Sequence, residues 1–201
     1  MLKLMNAFKA TFLLIISVAI LSSCYRTKYN NSDGSNSDAS ITSQQEEMTQ
    51  DGWEFYTPPA GDLDPAYGVN AIYGLQDNYF DIVVGSDICI AIKIMSVDTD
   101  KCIRYVYVPG NQTTTINNIP QGIYYLKLAY GYDWMRKRGD SHILGKFSRG
   151  VSYERSLSAY NFGMKNSRSF INYTLKINVN DDSILNNFET TSIDELDFYA
   201  D

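Results

Sequence analysis

Ile88-Cys89-Ile90-Ala91-Ile92-Lys93-Ile94 is the stretch that decides the fold. Isoleucine recurs at every second position, the period of a β-strand whose successive side chains point to opposite faces. The polar, turn-forming Asp98-Thr99-Asp100-Lys101 follows, and then a second β-prone run from Cys102 to Val108, so the two runs are expected to form a hairpin. With Asp98-Thr99 at its centre, residues whose numbers sum to 197 face one another. Ile94 then stands opposite Ile103, Ile92 opposite Tyr105 and Ile90 opposite Tyr107. This register gathers apolar residues on one face, whereas a slip of one residue sets the isoleucines against Arg104 and Val106. It also puts Cys102 opposite Met95 and Cys89 opposite Val108. The two sulfurs would be about 20 Å apart along the ladder, and a disulfide tolerates Cα separations only up to about 7 Å. Cys89 and Cys102 are therefore expected to be thiols, although an oxidising compartment ordinarily favours a bridge.

The rest of the chain reads as β in the same way. From Phe170 to Val179, Ile171, Tyr173, Leu175, Ile177 and Val179 alternate with polar residues, the pattern of a strand with one wet face. Thr113 to Ile116 is a short β-prone segment. Ile119-Pro120-Gln121-Gly122 turns the chain into Ile123 to Tyr130, where Tyr124, Leu126, Leu128 and Tyr130 share a face. Shorter strands are expected at Tyr79 to Val84, Lys146 to Ser148 and Val151 to Tyr153. Many short strands without a long helical period predict an antiparallel β-sandwich from about residue 52 to 201, with less than about a tenth of the mature chain helical. The turn and strand Ile116-Asn117-Asn118-Ile119-Pro120-Gln121-Gly122-Ile123-Tyr124-Tyr125-Leu126 resemble those of transthyretin-like and carboxypeptidase-regulatory-like sandwiches. The resemblance implies an Ig-like fold class and an accessory or binding role, not an activity.

At the N-terminus, Lys3 and Lys9 precede an apolar run from Ala10 to Leu21, the charged and apolar regions of a secretory signal. Twelve residues as a helix cover about 18 Å, short of the roughly 30 Å hydrocarbon core, so the run does not suit a permanent span. Leu21-Ser22-Ser23-Cys24 resembles the lipobox of bacterial lipoproteins: an aliphatic residue, two small ones and the acylated cysteine. The resemblance implies that residues 1–23 are removed and that Cys24 carries acyl chains, palmitate among them, which hold the protein to the membrane. That covalent lipid is the only non-protein group expected. Each buried methylene contributes about 0.8 kcal/mol, and two or three chains anchor firmly where one binds marginally. Tyr25 stands where an acid often marks inner-membrane retention, and Tyr25-Arg26-Thr27-Lys28-Tyr29 lacks the acidic cluster of Bacteroidota surface export. The expected address is the outer membrane, facing the periplasm. Residues 24–51, rich in Asn, Ser and Asp, have little to bury and are expected to form a flexible tether.

The chain has a formal charge of −6, which excludes nucleic acid as a natural partner because phosphate neutralisation needs a basic face. Its one basic run, Arg136-Lys137-Arg138, is expected in a loop. Catalytic chemistry finds little support. The single histidine, His142, has no Gly-x-Ser-x-Gly elbow to serve, and no Ser-x-x-Lys dyad occurs. A lone His with scattered cysteines does not make a zinc site, and Asp98-Thr99-Asp100 fails as a calcium loop because its twelfth position is Pro109. The expectation is a protein that is not an enzyme and holds no metal.

Aromatic and basic residues crowd one strand end: Tyr130, Tyr132, Trp134, Arg136 and Arg138 form a candidate surface for an envelope protein partner or a glycan, unless Tyr130 and Trp134 simply close the core. The favoured function is an outer-membrane-anchored, non-catalytic binding or structural module of the envelope, with service to a secretion or surface assembly as one such role. The alternative is a glycan-binding or hydrolytic lipoprotein with its site near Tyr132, Trp134 and His142. The acidic C-terminal stretch from Glu189 to Asp201 is expected to be a solvated tail. Asp182-Ser183-Ile184 resembles the O-glycosylation signal of Bacteroidota envelope proteins.

Overall fold

The computed structural model describes residues 41–163, 171–177 and 187–200. Its elements in chain order are α1 (Ser43–Gln50), β1 (Glu54–Phe55), β2 (Gly61–Asp62), a 3-10 turn (Pro65–Tyr67), β3 (Tyr79–Val84), β4 (Cys89–Ser96), β5 (Cys102–Val108) and β6 (Thr113–Asn117). They continue with β7 (Ile123–Arg138), β8 (Ile143–Ser156), β9 (Tyr160–Asn161), β10 (Tyr173–Ile177), β11 (Thr190–Ser192) and α2 (Glu195–Tyr199). The protein is an all-β sandwich. The larger sheet runs β11-β8-β7-β4-β5-β2, with β1 and β9 paired to the two ends of β7, and the smaller runs β10-β3-β6. All pairs are antiparallel except β10 with β3, a parallel pair that makes the smaller sheet mixed.

Two cores lie on the two faces of the larger sheet. Between the sheets, Ile90, Ile92, Ile94, Leu126 and Leu128 meet Phe80, Ile82, Ile116, Leu175 and Ile177. Behind the larger sheet, Ala91, Tyr105, Tyr107, Trp134 and Phe147 are covered by Leu63, Tyr67 and Val69 from the N-terminal loop and by Phe198 of α2. A two-sheet sandwich can leave its outer face to water. Here the chain ends cover it, and β4 is buried along almost its whole length.

That double burial explains the first correction. The β4-β5 hairpin forms, but in the slipped register: Ile90 faces Val108, Ile92 faces Val106 and Ile94 faces Arg104, with a bulge before Met95 and Cys102 pair. Both faces of β4 are dry, so an apolar pattern does not discriminate the two registers there. Cys89 and Cys102 stand at opposite ends of the ladder, as expected, and are not joined to each other. Cys102 Sγ lies 3.2 Å from Arg104 O. Cys89 is nevertheless disulfide-bonded, which corrects the expectation of a thiol there. The separation argument concerned only Cys102 as its partner.

Three further expectations change. Residues 43–50, assigned to the tether, form α1, because Thr42 and Gln45 make a reciprocal capping box that satisfies the first turn. Residues 24–40 of the tether, the signal segment, and Asp182-Ser183-Ile184 lie outside the described residues. Arg136-Lys137-Arg138 belongs to β7 rather than to a loop, since β7 and β8 pair as far as Arg138 and Ile143. The described end of the C-terminal stretch is not a solvated tail: Asp194 caps α2, Phe198 is fully buried, and Lys127 Nζ donates to Asp197 O at 2.6 Å and Ala200 O at 2.7 Å.

Candidate functional site

The aromatic and basic residues singled out at the end of β7 do not converge. Tyr130 is buried in the core between the sheets. Tyr132 is half-buried beside it; its hydroxyl donates to Asp87 at 3.1 Å and the Arg149 guanidinium lies 4.4 Å over its ring. Trp134 is buried in the second core, edge-on to Phe147 with centroids 4.9 Å apart. Arg136 bonds Glu54 at 2.7 Å and lies 3.9 Å over the Tyr56 ring, and Arg138 is exposed at the strand end. The strand changes faces in between. The β7-β8 pairing slips between Tyr130 and Tyr132, Gly150 on β8 has φ +60°, and Asp133 on β7 has φ +56°. Residues of one parity thus reach opposite cores on the two sides of this irregularity.

His142 lies in the turn joining β7 and β8, exposed, with Ser141 Oγ 2.9 Å from Nδ1. Among the described residues no carboxylate is hydrogen-bonded to it, and no group of three or more His, Cys, Asp and Glu side chains converges as a metal site.

His142 also edges a cleft of about 410 Å³ behind the larger sheet, walled by Trp53, Tyr67, Lys146, Glu195 and Tyr199 with Tyr105 beneath them. Each wall has a local cause. Trp53 is delivered by the end of α1: Gly52 takes φ +87°, its N–H donates to Thr49 O at 3.1 Å, and Trp53 N–H donates to Met48 O at 3.0 Å. This is a Schellman cap, which a residue bearing Cβ adopts only with strain. Tyr67 ends the 3-10 turn that Asp64 caps through Ala66 N–H at 2.8 Å, Pro65 supplying the fixed first φ. Gly145 lets the floor close, since a Cβ there would stand 2.5 Å from the Trp134 ring and 2.6 Å from that of Tyr67. Tyr199 comes from α2 and donates to Gly145 O at 2.8 Å.

Two lysines and one glutamate line the cleft. Lys146 Nζ is 3.3 Å from Glu195 Oε1 and 5.3 Å from the Trp53 ring centre. Lys93, nearly buried, lies 3.5 Å from Tyr199 O and within 6 Å of the rings of Tyr105, Phe198 and Tyr199. The hydroxyls of Tyr67 and Tyr105 are sealed from solvent, that of Tyr67 beside the Trp134 indole and that of Tyr105 beside Tyr199. Burial raises the Tyr67 phenol above its ordinary value, the Trp134 indole opposing, and burial raises Tyr105 and Tyr199 strongly. All three are neutral phenols at ordinary pH. The cleft therefore offers aromatic walls, the Lys146–Glu195 ion pair and the Lys93 cation, a set suited to holding a ligand.

Sequence reasoning reached His142 here but not Trp53, Tyr67, Lys146, Glu195 or Tyr199. The capping box at Thr42 and Gln45, followed by Gly52, was a readable sign that a helix ends at Trp53. The approach of α2 from the far end of the chain carries no local signal. No family model, no curated protein and no solved structure matches the chain.

Proposed function

We propose that this chain is a lipid-anchored, non-catalytic binding module of a bacterial outer membrane, facing the periplasm. The anchor rests on Leu21-Ser22-Ser23-Cys24 behind an apolar run too short to span a bilayer. The binding role rests on one observation, the 410 Å³ cleft walled by the aromatic side chains of Trp53, Tyr67 and Tyr199. A concave, largely apolar site of this size with a few polar groups is the usual form of a small-ligand pocket. The ligand-bearing body and the membrane anchor are separate parts of the chain, which fits an accessory of a larger envelope assembly.

The hydrolytic alternative draws on Tyr132, Trp134 and His142. Those side chains lie against the first core, inside the second core and on the hairpin turn, so they do not share one site. The cleft favours binding over that reading. Membrane fractionation of cells making the wild type and Cys24→Ser tests the proposal. The wild type sediments with the outer membrane, and Cys24→Ser stays as unprocessed precursor or leaves that fraction. A wild-type chain that is soluble without detergent would overturn it.

A further inference from the structure

We infer that the end of the sandwich remote from the cleft seats on the surface of a zwitterionic phospholipid bilayer. The inference rests on the membrane-anchor reading for one thing only, the nearness of a bilayer. At this pole β4 ends, β7 begins and β8 ends, since Ser96 pairs with Tyr124 and Arg155 with Lys127. The smaller sheet shares it: β6 ends with Asn117 facing Tyr79, the start of β3, and residues 118–122 lead directly into β7. Large apolar side chains stand exposed around the pole. Leu75 is fully exposed, and Val97, Ile123, Leu157 and Ile171 are 43–62% exposed. Leu75 is held out by its neighbours. Gly74 N–H donates to Asn118 O at 2.6 Å, Asn118 Nδ2 donates to Gln76 O at 2.8 Å, and a Cβ on Gly74 would stand 2.8 Å from Pro120 Cα. A turn pinned on both sides of its leucine keeps that side chain in water at a cost in free energy, which burial in a partner recovers.

Three features identify the partner. The apolar side chains stand on separate connections with Asn117 and Ser158 among them, so a rigid surface would have to match their spacing, whereas a fluid interface admits each by itself. Exposed charges nearby almost cancel, Asp77, Asp98 and Asp100 against Lys101 and Arg155, and leave no cationic face for an anionic membrane. The anchor also reaches. Gln45 of α1 is bonded to Asp133, which lies about 33 Å along β7 from Ile123, while the chain from Ile41 back to Cys24 spans at most about 60 Å. The lipid on Cys24 and the apolar pole can therefore enter one leaflet. The cleft, edged by the turn between β7 and β8 at the opposite end, then stays open to the periplasm.

Flotation with large unilamellar vesicles tests this on residues 24–201 made without the signal segment, which hold every element described above and carry no lipid. The chain floats with vesicles of phosphatidylcholine and phosphatidylethanolamine, and replacing a third of that lipid by phosphatidylglycerol does not strengthen the binding. Leu75→Asp and Val97→Asp each lower the partition coefficient about tenfold, the loss expected when an apolar side chain at the interface becomes a charge. Leu196→Asp, an exposed leucine of α2 away from the pole, changes nothing. The urea midpoint identifies a variant that has lost its fold, and the other substitution at the pole then decides. Absence of flotation overturns the inference. So does flotation that both pole substitutions leave intact, flotation that needs phosphatidylglycerol, or a dimer in sedimentation equilibrium that Leu75→Asp dissociates, which would assign the pole to a second copy. The protein in these measurements is unlipidated, so their failure and the failure of the Cys24→Ser fractionation are independent.

Discussion

Tyr130 and Trp134 stand four residues apart on β7, yet Tyr130 packs between the two sheets and Trp134 packs behind the larger one. The irregular pairing and the positive φ of Asp133 turn the strand over between them. Trp134 is consequently a core residue at the junction of Tyr67, Tyr107 and Phe147, with ring centroids 6.3, 5.8 and 4.9 Å away. Trp134→Ala is expected to lower folding stability by about 3–5 kcal/mol, the cost of emptying a large buried aromatic site. Urea unfolding followed by far-ultraviolet circular dichroism measures it, and a loss under about 1 kcal/mol, the usual range of a surface substitution, would contradict the burial.

Arg104 is almost fully buried opposite Ile94, where its guanidinium forks onto the Asp62 carboxylate, with Nε 2.6 Å from Oδ1. Its Nη1 also donates to Asn117 O at 3.1 Å, and the Tyr73 ring lies 4.4 Å from Cζ. One side chain thereby ties β2 and β5 of the larger sheet to β6 of the smaller. Asp62→Ala leaves a buried cation without its counter-ion and is expected to cost about 3–5 kcal/mol. Pairing it with Arg104→Met in a double-mutant cycle should recover a large part of that loss, and strict additivity of the two substitutions would contradict the coupling.

The same arginine shows where the sequence was legible and where it was not. Strands such as Tyr79–Val84 and Thr113–Asn117 read correctly because one face is dry and the other wet, so alternation carries information. Lys146 to Ser148 and Val151 to Tyr153 read as two strands and form one, β8, interrupted by the Gly150 irregularity. On β4 both faces are buried and the contrast disappears. The register then depends on Arg104 finding Asp62, a partner 42 positions away that no local pattern announces. The cleft was illegible for a similar reason. Its walls come from the end of α1, the 3-10 turn, the β7-β8 hairpin and α2, elements that only the tertiary fold brings together.

The last turn of the chain is held by a lysine. Lys127 Nζ donates to the carbonyls of Asp197 and Ala200, where the C-terminal end of α2 concentrates negative potential. Hydrogen bonds to a charged group contribute about 1.5–3 kcal/mol each. Lys127→Met is expected to release α2, with it Phe198 from the second core and Tyr199 from the cleft wall. Hydrogen exchange mass spectrometry should show faster exchange at residues 195–200 than in the wild type, while β4 and β7 keep their protection. Unchanged exchange in α2 would count against the clamp.

Buried phenols set the alkaline limit of the fold. Burial pushes Tyr153 and Tyr160 up to about 12 from an ordinary value of 10.0, with Glu195 and Tyr173 adding smaller effects. Tyr125 is pushed up to about 12 by burial and by its bond to Asp100. A folded-state value above the unfolded one means that folding favours the protonated form. The stability these residues contribute is fully present below pH 10 and is lost as pH rises from there through 12. Urea midpoints should be flat on the approach to pH 10 and then fall, with tyrosinate absorbance of the native protein lagging that of the unfolded chain. Coincident titration of the two forms would contradict the burial of these rings.

The account stands or falls on the sulfur of Cys24. A thioether to lipid and a disulfide use the same sulfur and exclude one another, so the state of the Cys24 sulfur tests the anchor directly. Mass spectrometry of the N-terminal peptide, taken from membrane-extracted protein under non-reducing conditions, is the direct measurement. The account predicts a peptide that begins at Cys24 and carries a diacylglyceryl thioether, absent from the Cys24→Ser protein. A peptide that retains residues 1–23 without lipid, or Cys24 recovered in a disulfide-linked peptide with Cys89, would contradict it.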